Sequence, residues 1–187
     1  MDWNNLRRAK TCFGCERRFT DGEGYYTLLF LNVSELTRED YCMSCGEKLD
    51  SSRREQCLSS WQGRYKAEAP KAREEPIARS VVERLLRKYL HSGDPSCVNV
   101  RYILALMMER KRKLIPRDRI VDPSSGGTVI VYELSTSGET FLIEDPGLEL
   151  KHTREVQKQV RELLEREGIQ TTKSRNPDSN PQNEDSQ

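Results

Sequence analysis

Six cysteines are present, and four of them are spaced for chemistry. Cys12 and Cys15 form one Cys-x-x-Cys pair and Cys42 and Cys45 a second, with 26 residues between the pairs. Thiolates three positions apart can both point into one tight turn. Two such turns brought together supply the four soft ligands of a tetrahedral structural zinc. The gap exceeds the usual ribbon spacing of about 15 to 20 residues, so the intervening segment has to fold back on itself. A disulfide framework would need an oxidising compartment, and Met1–Arg8 has no apolar run to serve as a secretory signal. A redox-active Cys-x-x-Cys usually sits in a strand–helix–strand unit, which the flanking residues do not spell. Zinc on Cys12, Cys15, Cys42 and Cys45 is therefore the expectation.

The elements that must position these sulfurs are legible around them. Gly14, inside the first pair, is free to take the positive backbone angle that turns amides toward the sulfurs. Asp21–Gly24 is a turn signal, and Tyr25–Leu31 is rich in aromatic and apolar strand formers. Residues Asn32 to Arg38 should turn the chain back, so that Glu39-Asp40-Tyr41 leads into the second pair. Beyond Cys45, residues 46–58 are polar, helix-compatible and not alternating. That favours a treble clef, in which the second pair sits at the first helical turn and the helix dipole favours thiolate. Gly46 keeps a ribbon open. Trp61 and Tyr65 should pack against this small module rather than form an exposed stacking platform.

Residues 12–45 thus resemble the four-cysteine zinc fingers of the treble-clef or ribbon type. The resemblance covers a small part of the chain, and such modules serve DNA, RNA, protein and purely structural roles. It implies a metal and no activity. The wider pattern, including Asn99–Met107 and Glu109–Arg112, resembles a group of uncharacterised bacterial proteins, and that likeness brings no function either.

The remainder reads as an α+β unit of helix, helix, hairpin and helix. Residues 1–66 form the zinc module, 67–76 a linker, 77–168 the second domain and 169–187 a disordered tail rich in Ser, Asn, Asp, Pro and Gln. Pro76 should open a helix whose apolar face carries Ile77, Val81, Val82, Leu85, Leu86, Tyr89 and Leu90 and which ends at Ser92-Gly93. Asp94 and Pro95 start the next helix as cap and first-turn residue. From Cys97 to Met108 it is apolar almost all round, so it should be the most buried element. Arg110, Lys111, Arg112 and Lys113 would fill its last turns. Residues 128–134 and 139–145 read as a hairpin laid on these helices, and a last helix should run from Thr153 to Glu167. Cys97 reads as a small buried hydrophobe, Cys57 as the same or a spare ligand, and His91 and His152 as surface or capping residues.

Charge is nearly balanced overall at +1, but residues 67–127 carry a net +5 and residues 128–187 a net −5. The cations at 110–113 have two readings. They meet a helix dipole and the acidic third of the chain, or they contact phosphate. No apolar run approaches the roughly 20 residues that span a bilayer, and the cytoplasm is the default location. A phosphate-cradling glycine loop, a Ser/His/Asp set and a His-Glu-x-x-His motif are all missing, and two histidines are too few for the common open catalytic zinc sites. The reading is a non-catalytic adaptor or regulatory protein with a protein partner. The alternative is a nucleic-acid binder using the basic run at 110–119, since two helices followed by a hairpin resemble a winged helix. Replacing Cys12 or Cys45 by Ser is expected to unfold the zinc module and spare the second domain.

Overall fold

A computed structural model describes residues 6–32, 35–67, 81–122, 125–148 and 150–173. Helix and strand are mixed, in keeping with an α+β class. Two antiparallel three-stranded sheets organise the chain. In the first, β1 (Gly24–Asn32) lies between β2 (Glu35–Cys42) and β3 (Ser59–Arg64). In the second, β5 (Thr128–Leu134) lies between β4 (Leu114–Val121) and β6 (Thr140–Asp145).

The first sheet begins as the expected hairpin, but its turn is tighter. Glu35 already pairs with Asn32, and Leu36 is buried opposite Leu31, so residues 35–38 belong to a strand rather than to the reversal. The helix expected over 46–58 is two short ones, α1 (Met43–Glu47) and α2 (Ser51–Glu55). Ser59–Arg64 then returns as β3 along the free edge of β1. Nothing in Ser-Ser-Trp-Gln-Gly-Arg favours a strand except Trp61, so pairing and burial override local preference here. Gly63 is required at its position, because a Cβ would lie 2.5 Å from the ring of Tyr25 on the neighbouring strand.

The second sheet holds one strand that the sequence pattern hides. Leu114–Val121 carries Pro116, Arg117, Asp118 and Arg119, yet it pairs with β5 through a bulge between Pro116 and Asp118. The bulge and the edge position accommodate the proline. The expected hairpin is therefore two strands of a three-stranded meander. Helices α3 (Val81–Ser92) and α4 (Val98–Arg110) cover one face with α5 (Leu150–Lys173). Asp94 caps the short 3-10 turn Pro95–Cys97 by accepting from the Ser96 amide at 2.9 Å, and α4 follows directly. Val100, Ile103, Leu104, Ala105 and Met108 are buried along it, as a core helix requires.

Two helix ends differ from expectation. Arg110 is the last residue of α4; Lys111 caps it and Arg112 takes a left-handed conformation at φ 54°. The Arg112 amide donates to the Glu109 carbonyl at 2.7 Å and the Lys113 amide to the Met108 carbonyl at 2.9 Å, a Schellman closure. Three of the four cations thus lie in a turn, not in helical turns. At the other end of the chain, α5 continues past Glu167 to Lys173, so the first residues assigned to a tail are helical. The linker from 68 onward, the helix start at 77–80 and residues 174–187 lie outside the described residues.

Both faces of the second sheet are buried, which explains the unbroken apolar run in β5. Ile130, Tyr132 and Leu134 face the helices. Val129 and Val131 face the other way, into a cluster shared with Leu29, Leu36 and Trp61 of the first sheet. Glu133 belongs to that second face too. It accepts from Tyr25 Oη, from Trp61 Nε1 at 3.2 Å and from Arg117 Nε at 2.7 Å, and Arg38 Nη2 lies 3.6 Å away. Arg38 in turn reaches Asp40 at 2.9 Å, the Gly138 carbonyl at 2.6 Å and Thr140 Oγ1 at 2.7 Å. A buried, hydrogen-bonded ion network therefore fixes the register of one sheet on the other.

Candidate metal centre

The sulfurs of Cys12, Cys15, Cys42 and Cys45 lie within 4.8 Å of one another. Cys15 Sγ and Cys42 Sγ are 3.9 Å apart. A tetrahedron of thiolates at about 2.3 Å from zinc has edges of about 3.8 Å, so the donor set fits a four-coordinate ion of that size. The four residues come from two separate elements. Cys12 and Cys15 occupy a tight turn in which the Cys12 carbonyl accepts from the Glu16 amide and the Cys12 amide donates to the Arg17 carbonyl, both at 2.8 Å. The left-handed residue of this turn is Glu16, at φ 59°, and not Gly14. Gly14 lies close against Cys45 and Tyr41, where a Cβ would sit 3.4 Å from each. Cys42 ends β2 and is the N-cap of α1, inside which Cys45 lies.

Docking of the turn onto the hairpin rests on Asp40, a residue with no visible signal in the sequence. Its carbonyl accepts from the Phe13 amide at 2.8 Å, and its carboxylate accepts from the Ala9 amide at 2.7 Å and Thr27 Oγ1 at 2.6 Å. The Cys42 amide then points at Cys12 Sγ at 3.2 Å. Such N–H donors stabilise thiolate.

The electrostatics follow from crowding. The Ser44 hydroxyl, 3.2 Å from Cys42 Sγ, leads the causes that bring the Cys42 thiol down to about 6. Cys45, facing first the Cys42 sulfur and then that of Cys15, is pushed up to about 12. Burial opposes ionisation of Cys12, yet the amides of Cys42, Cys15 and Gly14 outweigh it and hold that thiol below its ordinary range. Four sulfurs this close cannot all carry charge without a cation among them. The arrangement could hold one metal ion.

Cys57 stays outside the set, half-buried, with its thiol donating to the Arg54 carbonyl at 3.0 Å. Cys97 is half-buried at the start of α4, less enclosed than expected. His91 is exposed, its Nδ1 2.8 Å from the Arg87 carbonyl; the side chain of His152 lies outside the described residues. Tyr65 stacks on Phe19 beside the cysteine turn, as expected, whereas Trp61 is buried between the two sheets. Arg110 ends α4 and Lys111 and Arg112 lie in the turn after it, all three exposed. Among the described residues no helix is long and apolar enough to cross a membrane. No family model matches the chain, and neither a curated protein nor a solved structure matches it.

Proposed function

We propose that Cys12, Cys15, Cys42 and Cys45 hold one structural zinc ion, and that the protein is a non-catalytic cytoplasmic adaptor or regulatory module acting through protein contacts. The observation that carries this is the closed donor set. Four thiolates fill a tetrahedron and leave no position for water or substrate, which is what catalysis at zinc requires. Zinc suits an all-sulfur tetrahedral site of this size. The order of turn, hairpin and helix-borne second pair supports a treble clef, since a ribbon would place Cys42 and Cys45 on a second knuckle instead of at the start of α1. Phe13 supports a contact role. It is 60% exposed on the cysteine turn, edge-on to Tyr41 at 5.6 Å, where a rigid aromatic suits an interface anchor.

The test is metal analysis followed by cobalt substitution. One zinc per chain is expected, lost in Cys12→Ser. The cobalt form should show tetrahedral thiolate absorption that added azide leaves unchanged. A spectrum that shifts with azide would reveal an open coordination position and sink the non-catalytic reading.

A further inference from the structure

The turn that closes α4 spends conformational energy on a side chain. A Schellman closure needs a left-handed residue, for which glycine is the cheapest, and an L-residue there costs about 1 kcal/mol. Here that residue is Arg112. Arg110, Lys111 and Arg112 are all exposed, Lys113 is half-buried, and among the described residues none of the four is seen against a carboxylate. The internal explanation for the run, pairing with the acidic third of the chain, is thus not what these residues do. Other cations nearby are engaged: Arg87 with Glu83 and Glu139, Arg117 with Glu133, and Arg119 with Asp145. The Arg112 and Lys113 amides already satisfy the carbonyls of Glu109 and Met108, so these two carbonyls need no side-chain cation.

The cleft beside the end of α4, about 300 Å³ in volume, is lined by Glu109, Arg117, Asp118, Arg119 and Tyr132 among others, and by none of the four cations. Both of its acidic groups are engaged, Glu109 by the Tyr132 hydroxyl at 2.6 Å and Asp118 by the Ser59 hydroxyl at 2.7 Å. A mostly exposed row of cations, none of which lines that cleft, suits a regular polyanion better than a single phosphate. The exposed large hydrophobics among the described residues are Phe13 and Val121, both outside the turn, so the cations have no apolar wedge beside them with which to enter a lipid surface. Groove reading does not suit α4, whose partly buried Tyr102, Leu106 and Met107 pack against the core beside its buried residues.

We infer that Arg110, Lys111, Arg112 and Lys113 form a contact surface for the phosphodiester backbone of nucleic acid, binding without base specificity. The surface is separate from the cysteines, so this inference stands or falls independently of the zinc reading. The experiment uses the full chain as purified, with metal content measured in parallel, and labelled duplex DNA and single-stranded RNA titrated across a salt series. Binding should weaken steeply with salt. Changing all four residues to Gln should lower the slope of log K against log salt by about 3 to 4 on duplex DNA, at about 0.9 per phosphate contact. Arg110→Gln with Lys111→Gln leaves the Arg112 turn intact and should remove about half of that. Near-ultraviolet circular dichroism checks folding of both. A charge-matched control, Lys158→Gln with Arg161→Gln on the exposed side of α5, should leave the slope unchanged. No binding at low salt overturns the inference, as does equal loss of slope in the control. Equal or tighter binding to polyglutamate, or to vesicles containing phosphatidylserine, overturns it in favour of another polyanion.

Discussion

Trp61 on β3 donates its indole N–H to the Glu133 carboxylate on β5 at 3.2 Å, across the seam between the two sheets. Both groups are buried, and the same carboxylate also takes Arg117 and Tyr25. A buried ion network adds little net stability over an apolar packing of equal volume, but removing one member leaves its partners charged and desolvated.

Glu133→Gln should accordingly destabilise the protein by about 3 kcal/mol, because the Arg117 guanidinium loses its counterion while the shape of the seam is kept. Urea denaturation followed by tryptophan fluorescence measures it. A change below about 0.5 kcal/mol, the range of ordinary surface substitutions, would mean that the seam is not held by charge.

Metal removal bears on how independent the two parts are. Leu29, Leu36 and Trp61 share one apolar cluster with Ile120, Val129, Val131 and Leu142. Loosening the first sheet therefore exposes one face of the second. Chelation, or Cys12→Ser, should lower a single cooperative transition in which far-ultraviolet and tryptophan signals coincide. Two separated transitions, with the second sheet surviving intact, would instead support the expectation of independent modules drawn from the sequence.

That contrast shows where the sequence was readable. The cysteine pairs, the strand at Tyr25–Leu31 and the hairpin at 128–145 are local patterns, and their chemistry does not depend on distant residues. β3 and β4 are different. Ser59–Arg64 becomes a strand because β1 offers an unpaired edge, and Leu114–Val121 does so because β5 does, despite Pro116. Glu133 gives no hint of burial by itself, since only the approach of Trp61, Tyr25 and Arg38 supplies its donors. Asp40 is silent for the same reason. Its role is to receive a turn that lies some thirty residues earlier, the Ala9 amide being its partner.

Tyr25 gives the seam an alkaline limit. Burial first, and then the charge of Glu133, push its hydroxyl up to about 12 from an ordinary value of 10.0. A raised value means that the stability it contributes is complete below pH 10 and is lost as the pH climbs toward 12, because the unfolded chain releases the proton first. The loss should amount to about 2 kcal/mol. Tyr25→Phe should be less stable at neutral pH yet show a shallower decline over that window, read from urea midpoints at increasing pH. An unchanged decline would place the alkaline limit on other groups, such as Tyr41, which is also pushed up to about 12.

The turn after α4 supplies a prediction about stability alone. Arg112 sits at φ 54°, where glycine has no steric penalty and arginine does. Arg112→Gly removes that strain but adds backbone freedom to the unfolded chain, and the two effects oppose each other. Strain relief should win, since the Schellman bonds of Arg112 and Lys113 are kept and no described carboxylate loses a partner. The free protein should gain up to about 1 kcal/mol, visible as a rise of a few degrees in Tm, while its nucleic-acid affinity falls. A loss of stability would show that Arg112 is held by contacts within the folded chain, and the cation would then belong to the fold rather than to a partner.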